Sequence, residues 1–258
     1  MDAFLVAAGT VPGRDHTVAY RNCQDAFSTY ASRECVISIV CDGCGSGTHS
    51  EVGAKLGARI LAESLRERIE AGGERDPEHL LEIASDRLLA ALHDVGAAMG
   101  GPIARLVHDH FLFTALGAVV LPEATFTFAC GDGILACNGE PVVRSASGNA
   151  PSYAGYGLLG PPPRFEIVHR LATCRVDSLL LGSDGLAPLL VRPTAGRTLS
   201  DLWADDRLLG NPRILERSLR VWARERPRVD WDRHRIEREP GLFADDATAV
   251  VIRRRRAC

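Results

Sequence analysis

The segment that most constrains this chain is residues 36–47, which read VISIVCDGCGSG. A run of β-branched and small apolar residues continues to Cys41 and ends on the pair Asp42-Gly43. Glycine weakens strand interiors and lets the backbone bend sharply, so the strand is expected to end here. A helical pattern begins at Ser50. A strand that ends on a carboxylate and turns into a helix predicts a cation site or a phosphate site at a sheet edge.

Aspartates stand at the ends of other predicted strands as well. Two further apolar runs end in Asp-Gly, at Asp132 and Asp184, while Asp25 and the pair Asp245-Asp246 precede strands. Aspartate is a poor strand residue, so this repetition predicts carboxylates that meet at one edge of a sheet. Clustered carboxylates repel unless protons or a cation lie between them, and oxygen ligands favour Mg²⁺, Mn²⁺ or Ca²⁺ over Zn²⁺. The alternative, strongest for Asp132, is that each aspartate only caps a turn.

Hydrophobic periodicity predicts both helices and strands. Apolar residues three to five positions apart predict a helix over 52–69 and a second one over 77–95, with Pro77 in its first turn. From Phe113 the period changes to two, which predicts strands over 113–121, 124–130, 134–137 and 140–144. Asn138-Gly139 is a strong hairpin signal, and the tight turns predict an antiparallel meander.

The remaining third of the chain is more varied. We predict a strand near Phe4, an irregular segment over 13–23 and a long loop over 147–163. A buried strand is expected at 176–181, helical pieces over 199–225, a charged surface connection over 226–240 and a last strand over 247–252.

Composition excludes several functional classes. The chain has 258 residues, of which 46% are hydrophobic, enough to bury a sizeable core. Its net charge of -3 gives no electrostatic case for a nucleic-acid partner. No apolar run approaches the roughly 18 residues of a membrane helix and no signal peptide is apparent, so we expect a cytoplasmic protein with reduced cysteines. The arginines at 253–256 are expected to begin a short solvated basic tail that ends at Cys258.

Taken in order, the motifs resemble those of a known family. The segments QDAF, VCDGCGSG with SEVGA, FTALGAV, GDG, LLLGSDGL and DDATAVVI resemble the metal-dependent type-2C protein phosphatases, the PPM family, in a compact bacterial branch. The resemblance covers residues 13–252. It implies a single domain over residues 1–258 with an α+β fold, a four-layer αββα sandwich of two antiparallel β-sheets flanked by helices. The predicted meander and paired helices agree with that expectation.

The resemblance also implies a two-metal centre in a cleft at one end of the sandwich. Asp42 matches the carboxylate that bridges two Mg²⁺ or Mn²⁺ ions, and the Gly43 carbonyl matches a ligand of one ion. Asp184 and Asp245 match ligands of the other ion. Asp25 matches the aspartate that holds metal-bound water.

Further residues are expected around these ligands. Asp132 matches a position that contributes to a third, weaker metal site in some members of the family. Thr114 lies in the strand motif that precedes it. With Thr114, the residues expected to surround the ligands are Gln24, Cys44 and Asp246.

The family's activity is the hydrolysis of phosphoserine or phosphothreonine monoesters in proteins. A water molecule that bridges the two metal ions attacks phosphorus in line, so no covalent enzyme intermediate is required. The implied partner is a phosphorylated protein, either a serine/threonine kinase or its target, in bacterial signalling.

Three positions depart from the family pattern. Gln24 stands where many members have glutamate, and Cys44 stands where animal members have a histidine proposed as general acid. Tyr20 occupies the position of the arginine that binds phosphate. The candidates for that phosphate-binding role in this chain are Arg21, Arg14 and His16.

These departures keep other hypotheses open. One is a catalytically weak phosphatase-fold regulator, or a module that binds phosphoproteins without turning them over. Another reads Cys41-x-x-Cys44 as a redox dithiol, or as half of a zinc site completed by His108 and His110. Because Cys41 ends a buried strand, packing is the preferred interpretation of that cysteine.

Overall fold

The computed structural model describes residues 3–73, 75–146, 151–191, 197–211 and 213–255. Its strands are β1 (Phe4–Val11), β2 (Ala26–Ala31), β3 (Val36–Gly43), β4 (Phe113–Val120), β5 (Ala124–Cys130), β6 (Gly133–Cys137), β7 (Glu140–Arg144), β8 (Glu166–Ala172), β9 (Ser178–Gly182), β10 (Arg226–Asp230), β11 (Arg235–Glu239) and β12 (Ala247–Arg254). Its α-helices are α1 (Arg14–Val18), α2 (Ser50–Glu70), α3 (Pro77–Met99), α4 (Ile103–Leu106), α5 (Asp201–Ala204), α6 (Asp206–Leu209) and α7 (Ile214–Trp222).

Two five-stranded antiparallel sheets form the centre of the protein. Sheet I has the strand order β1-β12-β9-β6-β7, and sheet II has the order β2-β3-β4-β5-β8. Strands β10 and β11 form a separate two-stranded hairpin. Within the described residues, no helix combines the length and apolarity needed to cross a bilayer.

Side chains from the facing surfaces of the two sheets form the middle layer of the core. Val36 and Val40 of β3 meet Leu135, Leu181 and Val250 from sheet I in this layer. Alternate residues of β3 point the other way and are also covered, which is why nearly every residue of the strand is buried and its sequence is mostly apolar.

Helices cover the outer face of each sheet. Helices α2 and α3 pack on sheet II in one apolar cluster, and α5, α6 and α7 pack on sheet I in another. The order helix, sheet, sheet, helix confirms the predicted four-layer αββα sandwich.

Most of the predicted elements are present at the expected places. Helices α2 and α3 confirm the two amphipathic patterns, and β5 and β7 have the predicted bounds. Asn138 and Gly139 have positive φ angles of 51° and 88°, as a tight β6–β7 hairpin turn requires.

The predicted meander is wrong at one connection. Strands β5 and β6 do not pair, because the chain passes from sheet II to sheet I between them. Gly131 and Gly133 have φ angles of 94° and 129°, which glycine adopts without strain, and they allow this crossing. A tight turn between two strands predicts a hairpin, whereas here it joins two stacked sheets.

Other corrections concern polar segments. Residues 13–23 contain the short helix α1, and the charged segment 226–240 forms the β10–β11 hairpin rather than an irregular connection. Strand β8 was not predicted, because an edge strand with one exposed face has a mixed polar sequence. Within the predicted loop 147–163, residues 147–150 lie outside the described residues, and Ala154–Leu158 is a turn of 3₁₀ helix.

The predicted basic tail begins later than expected. Arg253 and Arg254 are the last residues of β12, where they pair with Ser178 and Phe4 on the neighbouring strands. The Arg253 side chain donates to the Trp203 carbonyl at 3.0 Å and is nearly buried. Residues 256–258 lie outside the described residues.

Small residues let α2 approach sheet II closely. Its fully buried stripe includes Gly53, Ala54, Gly57 and Ala58, whereas the larger apolar residues Leu56 and Ile60 are only half-buried. A methyl group at Gly53 would lie 2.3 Å from the backbone oxygen of His110. That contact brings the start of α2, directly after the Asp42 loop, against the chain that enters β4.

We predict that Gly53→Ala destabilises the protein by about 1–3 kcal/mol, because a backbone oxygen cannot move aside for the added methyl group. The matched control is Gly96→Ala in α3, where the nearest atom is the flexible Ile103 Cδ1 at 3.2 Å. There the higher helix propensity of alanine, worth about 1 kcal/mol, offsets the crowding. Urea unfolding of both variants measures the difference, and equal stability would contradict the close packing of α2.

Candidate metal centre

Strand pairing delivers the carboxylates to one end of the sandwich. Ala26 pairs with Cys41 in sheet II, so Asp25 and Asp42 are the next residues along the two antiparallel strands. In sheet I, β9 and β12 are also antiparallel, and Gly182 pairs with Ala249. The chain therefore leaves β9 at Asp184 and enters β12 from Asp245 at the same edge.

Asp42, Asp184 and Asp245 line a cleft of about 300 Å³. Its walls come from both sheets, from α1, and from the loops that follow β3 and precede the 3₁₀ helix at Ala154. The lining residues that the sequence singles out are His16, Asp42, Gly43, Cys44, Thr114, Asp132, Asp184, Asp245 and Asp246. Asp25 and Gln24 lie behind this lining and are almost completely buried.

Asp246 connects the N-terminal segment to β12. Its Oδ1 accepts the Gly13 amide hydrogen at 2.7 Å, and its Oδ2 accepts the Gln24 amide hydrogen at 2.6 Å. The same Oδ2 lies 2.7 Å from His16 Nδ1. Three donors therefore satisfy this buried carboxylate, and the hydrogen bonds fix residues 13–24 beside the cleft.

Two buried oxygens beside the cleft have no partner among the described residues. Asp25 Oδ2 accepts a hydrogen bond from the Ser183 hydroxyl at 2.7 Å, but Asp25 Oδ1 is left without one. Gln24 donates from Nε2 to the Gly47 carbonyl at 3.2 Å, and its Oε1 is also unsatisfied. Unpaired buried acceptors are costly, and they fit a site that takes a cation or its ordered water.

Crowding of the carboxylates changes their ionisation. Burial raises the pKa of Asp25 to about 7. The charge of Asp246 adds to this increase, whereas a hydrogen bond from Ser183 opposes it. Burial, together with the charges of Asp25 and Asp184, raises the pKa of Asp42 well above its ordinary value. Positive charge is therefore needed before both carboxylates can be ionised at neutral pH.

The same effect extends across the cleft. Burial and the charge of Asp245 raise the pKa of Asp184, while burial and the charge of Asp184 raise that of Asp132. A set of carboxylate oxygens that share one small cleft and repel one another is the donor set that hard divalent cations prefer. The residues present therefore fit a divalent metal centre.

Comparison with known proteins agrees with this geometry. The chain matches the family model of protein phosphatase 2C over residues 12–222. The chain belongs to the protein phosphatase 2C family. That membership confirms the resemblance seen in the sequence, and with it the assignment of the chain as a metal-dependent phosphoprotein phosphatase.

Solved structures share the fold at low sequence identity. A bacterial serine phosphatase is 15% identical, with 98% of this chain and 98% of that chain covered and a TM-score of 0.53. The serine/threonine phosphatase Stp1 from Staphylococcus aureus is 13% identical, with 97% and 95% covered and a TM-score of 0.54. The S. agalactiae serine/threonine phosphatase is 11% identical, with 98% and 100% covered and a TM-score of 0.56. No curated protein sequence matched the chain.

Other residues of this phosphatase 2C chain surround the carboxylates. Thr114 is the cross-strand partner of Asp42 in β3 and β4. Gly43 has no room for a side chain, because a methyl group there would lie 2.8 Å from the Gln24 carbonyl oxygen and from Ser50 Oγ. The close packing of Gln24 and Ser50 thus holds the Gly43 backbone at the cleft, where its carbonyl is predicted to be a ligand.

The cysteines do not support a zinc or dithiol site. Cys41 is fully buried beneath the helices, whereas Cys44 lies in the cleft with its Sγ 3.1 Å from Ser46 Oγ. Burial raises the pKa of Cys44, but hydrogen bonds with Ser46 and Tyr153 outweigh it and lower the pKa overall. Both thiols are free, and within the described residues the cysteines join no cluster of metal-ligating side chains.

The phosphate-binding candidates have different positions. His16 lines the cleft, whereas the exposed Arg14 forms an ion pair with Asp15 at 3.0 Å. Arg21 donates to the Gly45 carbonyl at 2.6 Å, at the rim of the cleft. Tyr20, at the family's arginine position, is 99% exposed and does not line the cleft.

Sequence reasoning missed two residues of the site. Ser183 holds Asp25 through its hydroxyl, and its place next to Asp184 in the segment GSDG was a usable signal. Tyr153 lines the cleft and hydrogen-bonds with Cys44, which helps to raise the pKa of the phenol after the effect of burial. No local pattern distinguishes Tyr153 from other aromatic residues of its loop.

We predict that the metal-free protein loses stability as pH rises from about 4 through about 7. The folded state favours protonated Asp25, so its contribution is complete below the unfolded pKa and is lost as the carboxyl ionises. Urea unfolding across this pH range in the presence of a chelator measures the effect.

The Asp25→Asn variant cannot titrate at this position, and we expect a smaller fall in its unfolding free energy over the same range. Asp94→Asn is the matched control, because the Asp94 side chain is 87% exposed. If the unfolding free energy of Asp25→Asn falls over this pH range as much as that of the control, the predicted ionisation of Asp25 is contradicted.

Proposed function

We propose that this phosphatase 2C protein hydrolyses phosphoserine and phosphothreonine in proteins with two bound Mg²⁺ or Mn²⁺ ions. The observation that carries the proposal is the convergence of Asp42, Asp184 and Asp245, from three distant parts of the sequence, in one cleft. Their mutual repulsion supports a site that is completed by cations.

Asp42 is proposed to bind both ions, with the Gly43 carbonyl on one and Asp184 and Asp245 on the other. Asp25 is proposed to hold ordered water through its unpartnered Oδ1. Asp132, which lines the cleft beside Asp184, is the candidate for a third ion. When bound, such ions acidify water and neutralise the phosphoryl oxygens, which is the chemistry that phosphomonoester hydrolysis needs.

The chain's own residues have two tasks in this proposal. The buried Asp246 carboxylate orients residues 13–24, and Thr114, Gln24 and Ser183 position the aspartates that surround the substrate phosphate. The open cleft admits a phosphorylated side chain, and the polarity of its walls suits a charged ester.

The proposed substrate is a phosphorylated protein, either a serine/threonine kinase or its target. The bacterial serine and serine/threonine phosphatases that share the fold support a role in bacterial signalling. We further propose that the protein acts in the cytoplasm, where the cysteines that the structure describes as free thiols would stay reduced.

A catalytically weak regulator is the alternative. Gln24 and Cys44 replace an acid and a proposed proton donor of the family, and no arginine is among the described residues that line the cleft. A protein of this kind binds phosphoproteins without turnover.

Hydrolysis of a phosphothreonine peptide separates the two functions. We expect turnover that requires Mn²⁺ or Mg²⁺ and falls by more than about a hundredfold in Asp184→Asn, because even outer-shell partners of a metal ligand contribute roughly 10- to 100-fold. Release of inorganic phosphate is the measurement.

The exposed Asp94→Asn variant is the control for the loss of a carboxylate elsewhere, and it should retain full turnover. If the wild-type protein shows no metal-dependent turnover above Asp184→Asn, the enzyme proposal fails. Tight binding of the phosphopeptide under those conditions would favour the regulator.

A further inference from the structure

His16 is the one nitrogen-bearing side chain among the described residues that line the cleft. It belongs to α1, whose start is fixed beside β12 by backbone hydrogen bonds from Arg14 to the Phe243 carbonyl at 3.2 Å and from Asp15 to the Ala244 carbonyl at 3.0 Å. The imidazole is therefore positioned next to Asp245 by the fold, although 229 residues separate them in the sequence.

The ring orientation follows from the hydrogen bonds of Asp246. That carboxylate is 3% exposed and already accepts two backbone amide hydrogens, so it is an acceptor toward His16 Nδ1 as well. The proton of the neutral imidazole is then on Nδ1, and the lone pair is on Nε2. A carboxylate that accepts from one ring nitrogen and directs the other is the usual support of a metal-binding histidine.

His16 Nε2 lies within reach of a cation held by Asp245. It is 3.9 Å from Asp245 Oδ1, and the imidazole is 12% exposed. Two ligands of one octahedral cation with bonds of about 2.1 Å lie roughly 3 to 4 Å apart. His16, Asp245 and Asp246 each offer a ligand atom within 4.8 Å of the others.

A bound cation requires the neutral imidazole. With Nδ1 donating to Asp246, that form presents a lone pair at Nε2, which binds positive charge and does not donate to a phosphoryl oxygen. Asp246 is satisfied by its three donors and orients the imidazole from outside the metal shell.

We propose that His16 Nε2 is a nitrogen ligand of the ion bound by Asp245, an inference that rests on the proposed function. The centre then has a mixed nitrogen and oxygen donor set. Imidazole favours first-row transition cations, whereas Mg²⁺ prefers oxygen ligands and water. This side of the centre therefore selects a transition cation such as Mn²⁺ over Mg²⁺.

Electron spin echo envelope modulation of the Mn²⁺-loaded protein tests the inference directly. We expect a nitrogen coupling to Mn²⁺ in the wild-type protein and its loss in His16→Asn. The asparagine keeps a hydrogen-bond donor at the δ position for Asp246 but removes the ε nitrogen. The matched control is His108→Asn, on an exposed histidine outside the cleft, in which the coupling should remain.

Calorimetry with the metals alone gives the second measurement. In His16→Asn we expect Mn²⁺ binding to weaken by about tenfold or more, since a direct ligand contributes at least as much as its outer-shell partner. Mg²⁺ binding should change by less than about threefold, because Mg²⁺ takes water in place of an imidazole nitrogen.

A wild-type spectrum without nitrogen coupling would overturn the inference, whether or not the variant folds. Equal weakening of Mn²⁺ and Mg²⁺ binding would also overturn it, because His16 would then act only by positioning its neighbours. Peptide hydrolysis is measured separately. Turnover without nitrogen coupling leaves the phosphatase proposal intact, and nitrogen coupling without turnover removes that proposal while His16 remains a ligand.

Discussion

Repulsion between carboxylates crowded at one end of the sandwich is the constraint on which this structure depends. Asp42 and Asp25 lie side by side at the end of sheet II, and Asp184 and Asp245 face them from sheet I. No unfolded chain would hold these charges together, so the hydrophobic layers of the sandwich must overcome their repulsion. Burial and the neighbouring charges raise the pKa values of Asp25, Asp42 and Asp184, and a divalent cation would relieve this repulsion.

Asp246 has the opposite role to its neighbours. Its carboxylate is as deeply buried as Asp25, but three donors satisfy it. The two consecutive aspartates thus have different surroundings. The Asp245 side chain faces the cleft, whereas the Asp246 side chain holds α1 and residue 24 in place. Because Asp246 has a full set of donors, we propose that it supports the site rather than binding a cation.

Much of the fold was predictable because its signals are local. The periodicity of α2 and α3, the alternation in β5 and the Asn138-Gly139 turn each depend on residues only a few positions apart. The wrong or missing predictions concern strand pairing, which depends on residues far apart in the sequence. The passage from β5 to β6 contains turn residues like those of a hairpin, yet it joins two sheets, and β8 is recognisable only once β5 is present as its partner.

For the proposed metal centre, the sequence by itself determined which residues carry carboxylate oxygens and that each stands next to one end of a strand. Their order along the chain also indicated the phosphatase family. Only the tertiary structure decided how they are arranged, because distances between residues as far apart as His16 and Asp245 depend on strand pairing and layer packing. In the tertiary structure His16 lines the cleft, whereas Arg14 and Arg21 do not. The packing also gives the Asp246 carboxylate three hydrogen-bond donors and places Tyr153 against Cys44. Local sequence specifies chemical groups and backbone turns, whereas the packed sandwich specifies which of those groups meet.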